Sequence, residues 1–163
     1  MYKNATLSQD RKYRYTLERH WNVERGRICW IMLNPSTADE EFDDPTIRRC
    51  IRFTESFGRG AMTVVNLSPF RATKPRDLMG KLIEELWGDN EVAILAATEY
   101  ADLVIAAWGS VHQDLRDLEA RMIRTVRRNV LQLHCLRING DGSPGHPLYL
   151  PKDCQLVKWP KTA

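Results

Sequence analysis

The sequence predicts an α/β protein: a three-layer α/β/α sandwich around a central, mostly parallel four-stranded sheet, with an N-terminal hairpin attached. Two observations carry that expectation. Strand-length apolar runs recur along the 163 residues, and a run apolar on every side chain suits a strand covered on both faces. Amphipathic helical stretches alternate with these runs, the pattern of a parallel sheet with helices laid over it. The length fits one domain, residues 1–163.

The first strand is expected over residues 12–21, "KYRYTLERHW", where large and polar residues alternate. "NVERG" reads as a turn, and residues 27–34, "RICWIMLN", as a buried central strand. "DDPTIRRCIRFTESFG" follows helix grammar. Asp44 stands at the N-cap, Pro45 at the first helical position, and Gly58 ends a stripe of Ile47, Cys50, Ile51 and Phe57. Residues 61–67, "AMTVVNL", give the next strand, and "SPFRATKPRDL" a loop before a helical "LMGKLIEELWG". A further helix covers "NEVAILAATEYA", and residues 102–109, "DLVIAAWG", form the third buried strand. Leu115, Leu118, Met122 and Val126 mark one apolar helical face, with five arginines on the outer face read as solvated surface. "LQLHCLRI" is the fourth strand, "NGDGSPGHPLYL" a Gly/Pro-rich loop, and "CQLVKWP" a short edge strand.

Composition is that of an ordinary globular protein, which excludes disorder as the default. A net charge of +3 permits a nucleic-acid partner without arguing for one. The first residues lack the apolar core of a signal peptide, and no apolar run reaches membrane-spanning length. The four cysteines form no CxxC pair and three sit in apolar segments. Buried free thiols in a cytoplasmic protein are expected, without zinc or disulfides. No metal, no membrane contact and a monomeric state complete these expectations.

In parallel sheets, ligands bind where the strands' C-terminal ends meet the loops. Asn34, Asn66 and Trp108–Gly109 fall at such ends, and His146 lies in the loop after the fourth strand. Four stretches resemble motifs of the uracil-DNA glycosylase superfamily, nearest its mismatch-specific and single-strand-selective branches. "MLNPS" (32–36) resembles "G-[IM]-N-P-G", and "VVNLSPFR" (64–71) the segment holding a base-reading asparagine. "VIAAWGS" (104–110) is similar to "V-[IV]-x-x-G", and "GHPLY" (145–149) to the "H-P-S" loop. The chain also resembles a bacterial and phage family with the signature "LNPSTAD…DDPT-x-RRC", a likeness that supplies no activity.

The glycosylase resemblance implies hydrolysis of the N-glycosidic bond of a pyrimidine flipped out of DNA. Asn34 would position the water and His146 would stabilise the leaving base, as the catalytic pair. Asn66 would read the base. Taken alone, Asn34 is more often a turn residue, and Asn66 is equally a buried amide bonded to backbone. Where uracil-specific relatives carry a bulky aromatic, this chain has Ser36, Thr37 and Ala38. A roomier pocket follows, fit for a 5-substituted pyrimidine, including a glucosylated phage base whose removal would act against the phage. Asp39, Asp43 and Asp44 would accept hydrogen bonds from hydroxyls on that substituent, or else cap and solvate the helix start. Phe42 would stack on the base. Arg71, Lys74 and Arg76 would meet DNA phosphates, and Leu148 and Tyr149 would wedge into the duplex. Ser36 replaces the motif's glycine and Leu148 its serine. The Asp-Pro-Tyr-His motif and the iron–sulfur cysteines of other branches are absent. No cofactor is implied. The alternatives are a uracil or mismatch repair glycosylase, a nucleoside or nucleotide hydrolase, and a non-catalytic module that binds modified nucleic acid.

Overall fold

The computed structural model describes residues 1–160, so the last three residues of the expected domain lie outside the described residues. Seven strands and four α-helices build it. The strands are β1 (Tyr2–Leu7), β2 (Arg14–His20), β3 (Arg27–Met32), β4 (Ala61–Asn66), β5 (Leu103–Ala106), β6 (Leu133–Cys135) and β7 (Val157–Trp159). The helices are α1 (Pro45–Ser56), α2 (Ile83–Trp87), α3 (Asn90–Glu99) and α4 (Arg116–Val126).

All strands join one mixed sheet in the order β1-β2-β4-β3-β5-β6-β7. Its centre, β4-β3-β5-β6, is parallel, which is the four-stranded core expected from the apolar runs. The sheet is larger than that expectation. The N-terminal hairpin is no appendage, because β2 pairs antiparallel with β4, Leu17 opposite Val64, and β1 forms the edge beside β2. β7 closes the other edge against β6. β1 escaped the sequence reading because an edge strand of half-exposed residues carries almost no apolar signal.

From β3 the chain passes to β4 on one side, then crosses to β5 on the other. Right-handed crossovers in opposite directions put their helices on opposite faces. The core divides accordingly. Ile28, Trp30 and Met32 pack with Ile47, Cys50 and Phe53 of α1. Cys29 and Ile31 pack with Leu86, Ile94, Leu118 and Met122 of α2, α3 and α4.

Helix α1 starts as its sequence dictates. The Asp44 side chain accepts the Ile47 N–H at 2.8 Å, and Pro45 occupies the first turn. The expected helix over residues 78–88 is only the five-residue α2, because Gly80 turns the chain at φ +76°. Arg116 and Arg124 of α4, and Arg127 and Arg128 just past its end, are exposed as expected, Arg128 pairing with Glu91, whereas Arg121 is half-buried over the Trp87 ring and pairs with Glu84. Cys29, Cys50 and Cys135 are buried and Cys154 half-buried, all four unpaired. No helix among the described residues is long and apolar enough to cross a membrane.

Candidate functional site

The reversal after β3 opens a crevice at the C-terminal ends of β3 and β5, where an open α/β sheet binds its ligands. A cavity of about 730 Å³ occupies it. Met32, Val64, Asn66 and Arg14 line it from the sheet, and Asn34, Ser36 and Thr37 from the turn after β3. The start of α1, Asp44 to Ile47, and the loop residues His146 and Leu148 to Leu150 complete the lining. The register explains the gathering. Met32 lies beside Asn66 and Ile31 beside Ala106, so the residues just past each strand emerge at one level. Asn34, Asn66 and His146, far apart in the chain, therefore share this cavity.

Asn66 is 1% exposed, and neither its Oδ1 nor its Nδ2 has a hydrogen-bond partner among the described residues. Its backbone carbonyl is held by Asn90 Nδ2 at 2.7 Å, so the strand end is fixed while the side-chain amide is left unbonded. A buried amide with neither atom bonded is costly unless a ligand completes it. Asn34 is oriented differently. Its Nδ2 donates to the Ala72 carbonyl at 2.7 Å and to the Pro35 carbonyl at 3.0 Å. Those bonds determine which amide atom is which, and Oδ1 remains a free acceptor among the described residues.

His146 caps the short turn Pro147–Tyr149, its Nδ1 accepting the Leu148 N–H at 3.3 Å. The neutral ring then carries its proton on Nε2. Burial lowers the His146 pKa below its ordinary value, with Asp44 pulling the other way, so the ring is a neutral donor at neutral pH. Two contacts position its loop. Gly109 N–H donates to the Pro144 carbonyl at 2.9 Å, and the left-handed Gly109 backbone, φ +76°, brings it against His146 Cβ. Arg49 of α1 donates to the Pro147 and Leu150 carbonyls and lies over the Phe53 ring.

The other expected residues divide. Ser36 and Asp44 line the cavity, although Asp44 also serves as the α1 cap. Leu148 and the largely exposed Tyr149 stand at its mouth, Tyr149 beside His146 at 5.3 Å between ring centres. Phe42 is 67% exposed and outside the lining, so its ring does not wall the space expected to hold a base. Asp39 and Asp43 also lie outside it. The Asp39 carboxylate accepts the Glu41 and Phe42 N–H groups, and Asp43 pairs with Arg19 and Lys3, both at 2.7 Å. Burial opposes ionisation of Asp43, and the Lys3 and Arg19 bonds outweigh it to hold the carboxyl below its usual range. Arg71 donates to the carbonyls of Ser36, Thr37 and Arg11 and lines a neighbouring cleft of about 410 Å³ with Lys12. Lys74 and Arg76 stand exposed on either side of Pro75, which lines the cavity.

Arg14 was missed. An arginine in an alternating strand reads as a solvent-facing position, yet Arg14 is 2% exposed and lines the cavity. Its Nη1 donates to the Ala38 carbonyl at 2.7 Å, and its buried Nε has no partner. Burial pulls its pKa down to about 10, so it stays cationic at neutral pH.

Fold and cavity together define an α/β protein with a polar, partly charged crevice at the switch point of a seven-stranded mixed sheet. The chain belongs to DUF1643, a family described as of unknown function, whose model matches residues 14–148. That span holds the cavity residues from Arg14 through Leu148. No curated protein and no solved structure matches the chain.

Proposed function

We propose that this chain is a monofunctional DNA glycosylase, and that its layers form the α/β/α sandwich of the uracil-DNA glycosylase superfamily. The substrate is a pyrimidine flipped from DNA, carrying a substituent at C5, and the product is free base and an abasic site. The observation that carries this reading is the buried, unbonded Asn66 amide in a cavity shared with Asn34 and His146. A side-chain amide offers one donor face and one acceptor, the complement of a pyrimidine edge. A flipped base would complete both atoms at once.

In the proposed reaction the C1′–N1 bond breaks and its electron pair moves onto the base. The sugar gains oxocarbenium character, so the nucleophile needs placement more than activation. Asn34 Oδ1 accepts a hydrogen bond from the water and aims its oxygen at C1′, while the Ala72 and Pro35 carbonyls hold the amide from behind. The water oxygen bonds to C1′ and releases a proton to solvent. His146 Nε2–H donates to the base as charge gathers there.

Cavity size supports a substituted base. About 730 Å³ lies in the upper part of the roughly 300–1,000 Å³ range of small-molecule sites. Ser36 and Thr37 leave space beside the ring, which suits hydroxymethylated or glucosylated pyrimidines of phage DNA and a role in antiviral defence.

The test is incubation with DNAs containing uracil, 5-hydroxymethylated or glucosylated pyrimidines, followed by alkaline cleavage at abasic sites. Cleavage of a 5-substituted member, lost in Asn34→Ala, is expected. No cleavage of any member overturns the reading.

A further inference from the structure

The cavity holds a second group without a partner, of opposite character to the Asn66 amide. Arg14 is buried, cationic at neutral pH, and has no carboxylate within ion-pair distance among the described residues. Its bonding is one-sided. Nη1 is committed to the Ala38 carbonyl, which fixes the plane of the guanidinium. On its side-on edge Nε is buried without a hydrogen-bond partner, and Nη2 beside it donates to no group among the described residues. That edge presents two parallel N–H groups, a fork that fits two acceptor atoms of one planar anion. Asp44 and Asp39 favour its charge only from beyond ion-pair distance, and a bound anion would pair with it directly. Arg19 shows the contrast a few residues away. It is fully buried too, but Asp43 and the Asp39, Glu18 and Asn4 carbonyls occupy its nitrogens, so it ties the loop to β1 and β2 and has no donor free for a ligand.

We propose that the Nε/Nη2 edge of Arg14 is the anion fork of this cavity, and that its ligand is the pyrimidine ring anion released when the C1′–N1 bond breaks. This rests on the glycosylase reading and adds a catalytic residue to it. A pyrimidine that has lost its sugar bond carries negative charge over N1 and, through the conjugated ring, over its carbonyl oxygens. N1 and O2 lie side by side in the ring plane with the spacing that a guanidinium edge matches. The neutral base of the intact nucleotide has less charge to offer, so the fork favours the separated state over the substrate, as transition-state stabilisation requires. Asn66 reads the edge of the ring, and Arg14 senses its charge.

The test is calorimetric binding to the full-length protein at neutral pH. 5-Nitrouracil, whose nitro group makes the ring anionic, is compared with thymine, which stays neutral, and with inorganic phosphate. Wild type is expected to bind 5-nitrouracil more tightly than thymine. Arg14→Gln is expected to lose at least about tenfold of that preference, the loss of a charge-assisted bidentate pair. Arg14→Lys keeps the charge without the fork and is expected to fall between them. It also serves as the readout should Arg14→Gln fail to fold. An unchanged preference in either folded variant overturns the fork. Phosphate binding that depends on Arg14, without ring-anion binding, overturns the ligand. Ring-anion binding by a protein that makes no abasic sites supports the fork and overturns the glycosylase reading.

Discussion

Replacing Asn66 by Leu is expected to make the protein more stable and destroy its base recognition. Asn66 has two polar side-chain atoms out of reach of solvent and without partners. An unsatisfied buried polar group costs about 1–3 kcal/mol. Leu keeps the branching at Cγ and removes both polar atoms at nearly the same shape. The backbone bond to Asn90 is untouched. The free protein should therefore gain about 1–3 kcal/mol, and for a chain of this size each kcal/mol moves the melting temperature by about 2–4 °C. Excision should fall at the same time, the trade-off expected where a site is built at the expense of the fold. Urea denaturation and an abasic-site assay on one preparation measure both. A variant that loses stability while excising base at the wild-type rate would show that the amide serves the fold alone.

Other expectations concern the residues around it. As pH falls below the ordinary histidine value of 6.5, the unfolded chain takes up protons before buried His146 does. Stability is then lost progressively from that pH down through the lower folded pKa. His146→Gln should flatten part of that decline in melting curves between about pH 7 and 5, with half-buried His20 and His134, whose pKa values burial also lowers, contributing to what remains. A decline as steep as in wild type would contradict the burial argument. Arg49→Ala removes the ties from α1 to the Pro147 and Leu150 carbonyls. It should cost about 1–3 kcal/mol and speed amide exchange over residues 146–150, and unchanged exchange would remove Arg49 from the site's support. Changing Leu148 and Tyr149 together to Ala should slow excision from duplex at least about tenfold and leave single-stranded DNA cleaved as before. Equal loss on both substrates would count against a wedge.

The fold was legible where burial is extreme. β3 and β4 are apolar on both faces, and no other local structure buries such a run so economically. The α1 start was legible because Asp44 and Pro45 act through local backbone chemistry. β1 was not, since an edge strand needs little apolar surface, and α2 was overextended because Gly80 was outvoted by its helix-forming neighbours. In the site, Asn34, Asn66 and His146 were visible as polar residues at the ends of apolar runs. Arg14 was invisible for a tertiary reason. Its surroundings come from far along the chain: its N–H donates to the Pro69 carbonyl and its Nη1 to the Ala38 carbonyl. Asp44 was legible both as cap and as cavity residue, whereas the place of Asp43 was not, because Arg19 and Lys3 reach it from strands that sequence spacing cannot bring near.

The central claim is hydrolytic release of one base inside this cavity. The most direct measurement is mass spectrometry of the products formed from 5-substituted DNA in heavy-oxygen water by wild type and by Asn34→Ala. The account expects unlabelled free base and a single heavy oxygen on the sugar, with neither formed by the variant. Free base absent from every reaction, or released equally by both proteins, would contradict it.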